Sequence, residues 1–234
     1  MSEKTNESTR MKLLLLCDDK YHPGEIPIQG TKPLLDKGCT IDVVTDTSDF
    51  DPASMFAYDV VILSKSDHIS STNHAPWKTL AFQKAMVQYV EGGGGLFVIH
   101  SGLVGGEDTE LLDRLIGSRF IKHPPLDTVS TFGMPMGGEQ HPVVKHFYAS
   151  RAQDELYILE FLQTDYTETL ISSRMRDAGD RLEAIDKYVT TGYVRTQGKG
   201  RILAVAQGHT LEAWLCDRYQ TLLIHGAEWC AGLL

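Results

Sequence analysis

Positive charge is scarce in this sequence, and basic residues never run longer than a pair. The 234 residues carry 22 Lys and Arg against 31 Asp and Glu, which gives a formal net charge of −9 and a pI near 5.4. Such a surface repels nucleic acid and anionic membranes. We therefore expect neither nucleic-acid nor membrane partners.

Cysteine is also sparse. The four cysteines, Cys17, Cys39, Cys216 and Cys230, lie in apolar stretches and never in CxxC spacing. This pattern indicates no disulfide framework, and free cysteine is among the most buried residue types. We interpret all four as reduced thiols of the core.

Long apolar runs are missing. The run "MKLLLLC" at 11–17 is too short for a membrane span or for the apolar part of a signal peptide. It follows a polar opening, residues 1–10, which we expect to be a disordered tail. The expected location is the cytoplasm.

A phosphate-binding glycine motif is absent as well. Four consecutive glycines at 92–95 precede the apolar run "GLFVIH", and no GK[ST] occurs there. Dinucleotide and P-loop motifs place their glycines after a strand and before a helix. We therefore expect no nucleotide cofactor and interpret these glycines as the turn from a helix into a strand.

The first half of the chain alternates between strand and helix patterns. Strands are predicted at 11–17, 39–44, 59–64 and 95–100, and helices from Pro33 to Gly38, at roughly 75–91 and at 109–117. Alternation of this kind is typical of an α/β fold with a mostly parallel sheet.

The second half is less regular. Strand patterns occur at 126–132, 156–161 and 168–175, followed by the hairpin "YVRTQGKGRILAVAQ" and a final helix that Asp217 can cap. These strands predict an antiparallel extension of the sheet. With no repeat or linker visible, residues 11–234 are expected to form one domain.

Two histidines follow apolar strands at equivalent places. His100 ends "GLFVIH", and His209 lies between "RILAVAQ" and a helix start at Thr210. Ligands of such sheets bind beyond the carboxyl ends of the strands, so the two imidazoles should share one edge of the sheet. Each alone could satisfy a local carbonyl group. Together they predict an acid/base pair or part of a metal site.

The stretches that surround these histidines resemble a known family. "GGGGLFVIHSG" (92–102), "HPVVKHF" (141–147), "DELYIL" (154–159), "GKGRILAVAQGHTLEAW" (198–214) and "LLIHGAEWCAG" (222–232) occur in the order found in the ThuA-like family, named for trehalose utilisation. That family belongs to the class I glutamine amidotransferase-like superfamily. The resemblance implies a three-layer, flavodoxin-like fold.

The resemblance also implies which chemistry is lost. Amidotransferases of this fold carry a nucleophilic cysteine in a G-x-C-x-G turn after a strand, and a histidine in a later H-P-E setting. Here the corresponding stretches read "VIHSG" and "QGHTLE", so His100 stands where the cysteine would be and His209 where the histidine would be. Imidazole cannot replace the thiolate, so we expect no glutaminase activity.

Further residues are predicted to join this pocket. Glu155 and Tyr157 are candidate catalytic residues beside the two histidines, His141, Asp18 and Ser101 are candidate substrate-binding residues, and His22 joins His100 and His209 as a candidate metal ligand. Plain structural roles, such as a turn for His141 and a core position for Tyr157, remain open. The cofactor is undetermined, with a divalent metal as the candidate.

The resulting hypothesis is a protein of carbohydrate utilisation. It would act on trehalose, a related sugar or an oxidised sugar derivative through a histidine-lined pocket. The alternative is a non-catalytic sugar-binding or regulatory module with a degenerated amidotransferase site. The sequence does not decide between enzyme and module, and it leaves a homo-oligomer open.

Overall fold

The computed structural model describes residues 11–134, 140–162, 167–175 and 188–234. Its strands are β1 Lys12–Cys17, β2 Thr40–Val44, β3 Val60–Ser64, β4 Gly95–Ile99, β5 Ser118–Lys122, β6 Asp127–Gly133, β7 Ala149–Asp154, β8 Ile158–Phe161, β9 Thr167–Met175, β10 Val189–Gln197 and β11 Gly200–Val205. Its helices are α1 Glu25–Gly30, α2 Lys32–Asp36, α3 Leu80–Glu91, α4 Glu110–Ile116, α5 Leu211–Leu215 and α6 Asp217–Cys230. The predicted tail at 1–10 lies outside the described residues.

The main sheet is the predicted α/β sheet with its antiparallel extension. Nine strands lie in the order β2-β1-β3-β4-β11-β10-β9-β6-β7. Pairing is parallel from β2 to β11 and antiparallel from β11 to β7. Strands β5 and β8 form a separate two-stranded antiparallel sheet.

Helices cover both faces of the parallel strands. Alternate side chains of β1 point to opposite faces, as a pleated strand requires. Leu13 and Leu15 pack in one apolar cluster with Trp214 of α5 and residues of α6. Leu14 and Leu16 pack in a second cluster with α3, α4 and the small sheet. This burial on both sides explains why β1 is apolar throughout.

The glycine run 92–95 makes the turn that the sequence predicts. Gly92 ends α3, Gly93 has φ +118°, and Gly95 begins β4. A Cβ on Gly94 would overlap the ring of Tyr89, and one on Gly95 would meet the Cys230 backbone at 2.5 Å. Close approach of neighbouring groups, together with one positive φ, therefore accounts for the run.

Some element boundaries differ from the sequence prediction. Helix α3 begins at Leu80 rather than near 75, because the Asp67 carboxylate accepts the backbone N–H groups of Trp77 and Lys78 and holds them outside the helix. The cap of α6 is Cys216, with no side-chain cap hydrogen bond, so the prediction of Asp217 as the cap was wrong. Strands β5 and β7 were not predicted; β7 has an exposed, polar pattern, ASRAQD.

The four cysteines are free thiols, three of them buried and Cys216 half-buried. Within the described residues, no helix is long and apolar enough to cross a membrane.

Candidate functional site

Four side chains with metal-ligating atoms meet at the carboxyl ends of the strands. His22 follows β1, His100 follows β4, Glu155 follows β7 and His209 follows β11. One ligating atom from each lies within 4.8 Å of those of the other three. The rings of His100 and His209 are 5.4 Å apart, which confirms that these two strand ends share one edge of the sheet.

His22 is oriented by a buried carboxylate. Its Nδ1 lies 2.7 Å from Asp19 Oδ1, and Asp19 also accepts the backbone N–H groups of Tyr21 and Ser66. Burial favours protonation of Asp19, but the contacts with His22 and the backbone outweigh it and hold the pKa of Asp19 below its usual range. An ionised Asp19 accepts the Nδ1 proton, which leaves the other nitrogen, Nε2, free for a ligand.

His100 occupies a tight turn immediately after β4. Its φ is +47°, a left-handed conformation that non-glycine residues seldom adopt. Its Nδ1 donates to the Ala206 carbonyl oxygen at 2.7 Å, so Nε2 is the unprotonated nitrogen and faces Glu155 Oε2 at 3.5 Å. Complete burial lowers the pKa of His100 to about 4, so the ring is neutral at physiological pH.

His209 is held by the residue that precedes Glu155. The buried Asp154 carboxylate accepts the backbone N–H groups of Gly208 at 2.9 Å and His209 at 2.8 Å. Burial raises the pKa of Asp154 to about 6. This contact links the end of β7 to the turn after β11, so Glu155 and His209 are positioned together.

Glu155 lies at the centre of the cluster. Its Oε2 is 3.2 Å from His209 Nδ1, and its Oε1 is 3.7 Å from His123 Nδ1. Burial favours the protonated acid, but the close approach of the His209 imidazole outweighs it and lowers the pKa of Glu155. The interaction with Glu155, the largest contribution, raises the pKa of His209.

These donors fit a divalent cation. His100 Nε2 and His209 Nδ1 are buried and face Glu155 Oε2, but neither makes a hydrogen bond of good geometry in the described structure. Imidazole and carboxylate ligands lie about 2.1 Å from Zn²⁺, so two ligands of a tetrahedral site are about 3.4 Å apart. The present ligand atoms all lie within 4.8 Å of one another, and the longest separation would shorten by about 1.4 Å in such a site. Three imidazoles and one carboxylate suit Zn²⁺, Mn²⁺, Fe²⁺ or Co²⁺.

The cluster opens into a cavity of about 420 Å³, which we call the histidine cavity. One wall is aromatic. The Tyr157 ring stacks on the His100 ring, with the two ring centroids 4.0 Å apart. Its centroid lies 4.3 Å from that of the Phe120 ring. The lining also includes Tyr21 and His68. A small ligand here would meet both polar groups and aromatic rings.

The structure brings together most of the predicted site residues. His22, His100, Glu155 and His209 form the cluster, and the Tyr157 hydroxyl lies 3.4 Å from His22 Nε2. The other three are placed differently.

His141 lies outside the cluster, against the ring of Trp229 at 5.3 Å, and its Nδ1 accepts the Val143 N–H. The carboxylate of Asp18 accepts the backbone N–H groups of Gly24 and Ser71. Ser101 is buried beside His100, and its Oγ has no hydrogen-bond partner in the described structure. None of the three is among the residues that line the histidine cavity.

The sequence analysis did not identify Asp19 as the partner of His22, and it named neither His68 nor His123 as a site residue. Both histidines line the histidine cavity. The sequence carried one usable signal: Asp19 and His22 are three residues apart directly after a strand, a spacing that lets their side chains meet. Nothing local marks His68 or His123.

Fold and site together define an α/β protein with a flavodoxin-like, mostly parallel sheet and a cluster of three histidines and a glutamate at the carboxyl ends of its strands. Residues 17–230 match the family ThuA, described as trehalose utilisation, and the chain belongs to that family. No curated protein matches this sequence.

Solved structures share the fold. A ThuA-like protein from Parabacteroides merdae is 19% identical, with a TM-score of 0.72 over 95% of this chain and 90% of that one. A ThuA-like protein from Bacteroides uniformis is 21% identical, with a TM-score of 0.66 over 94% and 91%. A cytoplasmic protein from Salmonella typhimurium is 12% identical, with a TM-score of 0.60 over 94% and 99%.

Proposed function

We propose that this protein is an enzyme that acts on a sugar or an oxidised sugar derivative in the histidine cavity, with a divalent metal held by His22, His100, Glu155 and His209. The carrying observation is the convergence of these four side chains from four separate strand ends.

The protonation states of the cluster favour the binding of a metal ion. His22 and His100 each give their Nδ1 proton to a protein oxygen, which leaves Nε2 as the ligating atom. Glu155 is ionised, because its pKa is lowered. Hydrogen bonds from the non-ligating nitrogen to carboxylates or carbonyls are the usual support of metal-binding histidines. A bound divalent ion would supply Lewis-acid polarisation of a substrate carbonyl or hydroxyl oxygen.

The remaining polar groups of the cavity can move protons and orient the substrate. Burial raises the pKa of Tyr157, so its hydroxyl stays protonated at physiological pH and can donate to a substrate oxygen. His68 and His123 lie on the cavity wall outside the ligand set and are available for proton transfer. Phe120 and Tyr157 present ring faces on which the C–H face of a sugar can pack.

A sugar substrate is favoured by the family and by the cavity. The family is described as trehalose utilisation. A cavity of about 420 Å³ lies near the small end of ligand pockets and suits a single sugar ring. Glutaminase chemistry is not part of the proposal, because His100 occupies the turn where the nucleophile is needed.

The proposal includes a small carbohydrate as ligand and no nucleic-acid or membrane partner. It also includes a cytoplasmic location, supported by the Salmonella structure described as a cytoplasmic protein. Self-association remains a prediction of the sequence.

Metal analysis of the purified protein tests the first part. We expect about one divalent ion per chain in the wild type and a large loss in His100→Ala and in His209→Ala. The double variant should bind metal little worse than either single variant, because members of one unit are non-additive. His141→Ala, outside the cluster, is the matched control. Full occupancy in both single variants would contradict the site.

Turnover tests the second part. The metal-loaded protein is incubated with glucose, trehalose and the keto derivatives formed by oxidising one ring hydroxyl of each. Conversion that depends on His100 and metal supports an enzyme. If one of these compounds binds the metal-loaded protein but is not converted, the result supports the sugar-binding module instead.

A further inference from the structure

A cavity of about 890 Å³ lies between two loops, within residues 66–80 and 104–108, and Lys78 is part of its lining. We call it the lysine cavity. The Lys78 Nζ donates a hydrogen bond to the carbonyl oxygen of Val104, another lining residue, at 2.9 Å. Because both partners of this bond belong to the lining, the amine of Lys78 lies at the wall of the cavity.

Lys78 is buried but has few partners. It is 3% exposed, and the bond to Val104 is the only hydrogen bond that its Nζ makes among the described residues. No described carboxylate lies close enough to form an ion pair with it. An ammonium group has three donors, and a buried charge is normally paired or neutralised. Lys78 is therefore a buried amine whose hydrogen-bonding capacity is largely unused.

A second buried lysine shows what a structural role looks like in this fold. Lys65 is 0% exposed, and its Nζ donates to the carbonyl oxygens of Cys17, Asp18 and Thr45. Its three donors are thus all used. Lys65 lines neither the histidine cavity nor the lysine cavity. Lys78 differs from it in both respects.

The surroundings of Lys78 favour its neutral, nucleophilic form. Burial lowers the pKa of Lys78 to about 8 and outweighs the opposing effect of the Asp67, Asp113 and Asp19 carboxylates, while the Lys65 ammonium group lowers the pKa further. A substantial fraction of the amine is therefore neutral at physiological pH. A neutral lysine amine in a desolvated site reacts with the carbonyl carbon of aldehydes and ketones.

The charge of the lining restricts which carbonyl compound can enter. Asp67, Glu107 and Asp108 contribute carboxylates, and Lys78 is the only lysine or arginine that lines the described cavity. This excess of negative charge disfavours a ligand that carries a phosphate or a carboxylate.

We infer that Lys78 is a covalent binding site, which captures a small, uncharged aldehyde or ketone in the lysine cavity as an imine. This site goes beyond the proposed function, because it requires neither the metal cluster nor the histidine cavity.

The reaction needs no oxidant or reductant. The Nζ lone pair forms a bond to the carbonyl carbon, the π electrons move to the oxygen, and a proton passes from nitrogen to oxygen to give a carbinolamine. A second proton then lets the oxygen leave as water, and the nitrogen lone pair forms the C=N bond of a protonated imine. His68 and His74 also line the cavity, with ring centroids 5.5 Å apart, and can supply that proton.

Reductive trapping tests the site on the wild-type chain. The protein is incubated at pH 8 with glycolaldehyde and sodium cyanoborohydride, which reduces the imine to a stable secondary amine. Peptide mass spectrometry then measures the rate of modification at each lysine. Glyoxylate, an aldehyde that carries a carboxylate, is the second probe.

We expect glycolaldehyde to modify Lys78 at least tenfold faster than Lys84, an exposed lysine of α3, because about half of the Lys78 amine is neutral at this pH. Lys65, which is as deeply buried but fully hydrogen-bonded, should stay unmodified. The ratio of the Lys78 rate to the Lys84 rate should be smaller with glyoxylate.

Three results would overturn the inference. A Lys78 rate no higher than that of Lys84 would show that the cavity does not give access to a reactive amine. Equal rates at Lys65 and Lys78 would show that both react through opening of the fold. A ratio as large with glyoxylate as with glycolaldehyde would show that the cavity does not select an uncharged ligand.

Discussion

Asp19 shows how much of the site depends on a residue that would not itself touch the ion. Its carboxylate fixes the ring orientation and tautomer of His22 through a 2.7 Å contact. Because Asp19 is 1% exposed and also accepts two backbone N–H groups, it has little freedom to move. His22 is therefore preorganised before any ligand arrives.

We predict that Asp19→Asn lowers the affinity for Zn²⁺ about 10- to 100-fold, the usual cost of losing such a partner, while the circular dichroism spectrum stays that of the wild type. Competition with a chromophoric chelator measures the affinity. Asp46→Asn, at an exposed carboxylate, is the control. Equal affinities in the two variants would show that Asp19 does not act through His22.

Lys78 gives a stability prediction with a defined sign. Burial lowers its pKa from 10.5 to about 8. Between these two values the unfolded chain binds more protons than the folded one, so the free energy of unfolding rises with pH in that interval and the contribution is lost as pH falls to about 8.

Replacement by methionine should remove this dependence. Relative to Lys78→Met, the wild type should gain about 2–3 kcal/mol between pH 8 and pH 10, since one pKa unit corresponds to about 1.4 kcal/mol. Urea unfolding at both pH values gives the difference. Lys84→Met, at an exposed position of α3, should parallel the wild type. Parallel curves for Lys78→Met as well would refute the assignment.

At the scale of elements, the turn from α3 into β4 is the most constrained feature near the site. The Tyr89 hydroxyl donates to the carbonyl groups of Tyr58 and Gly95, so its ring cannot move away from Gly94. An added methyl group at Gly94 would therefore displace either the ring or the start of β4, the strand that carries His100.

We predict that Gly94→Ala costs about 1–3 kcal/mol of stability, the usual cost of overpacking, by urea unfolding. Gly92→Ala should cost less, because its φ of −72° suits any residue and its Cβ would approach only the Gln88 carbonyl, at 3.1 Å. If Gly94→Ala leaves the free energy of unfolding unchanged, the Tyr89 ring moves aside to accept the methyl group.

Titration with NAD or ATP should show no binding in any of these proteins.

The strands and the two histidine positions could be predicted because a strand that is buried on both faces has a continuous apolar sequence. The end of that sequence marks the carboxyl end of the strand, where ligands of such sheets bind. His100 and His209 follow such runs directly. Glu155 and Tyr157 came from the family resemblance, since "DELY" alone is an ordinary strand end. Strand β7 has a polar sequence, so it could not be predicted as the strand that places Glu155 in the cluster.

At the scale of the molecule, the cluster joins the two halves of the main sheet. Three of the four side chains follow parallel strands, whereas Glu155 follows β7, which lies four places from β11 in the sheet order. The hydrogen bonds of Asp154 with Gly208 and His209 connect the end of β7, at the edge of the sheet, to the turn after the central strand β11. An ion bound to all four side chains would cross-link both halves.

Metal should therefore stabilise the whole fold. At a free concentration 100 times the Kd, binding adds about 2.7 kcal/mol. For a chain of this size that is about 5–10 °C in Tm. Differential scanning calorimetry with Zn²⁺ and with a chelator measures the shift, and His100→Ala should lose it. An unchanged Tm in the wild type would mean that the four side chains do not bind one ion together.

The spacing of these side chains also bears on biosynthesis. His22 and His209 are separated by 187 positions along the chain. Ribosomes release a polypeptide from its amino end, so His22, His100 and Glu155 emerge well before His209. An ion captured early would have at most three protein ligands, and the complete set would exist only after β11 has inserted between β4 and β10. Metal acquisition would thus mark a late step of maturation, after translation has passed the last ligand.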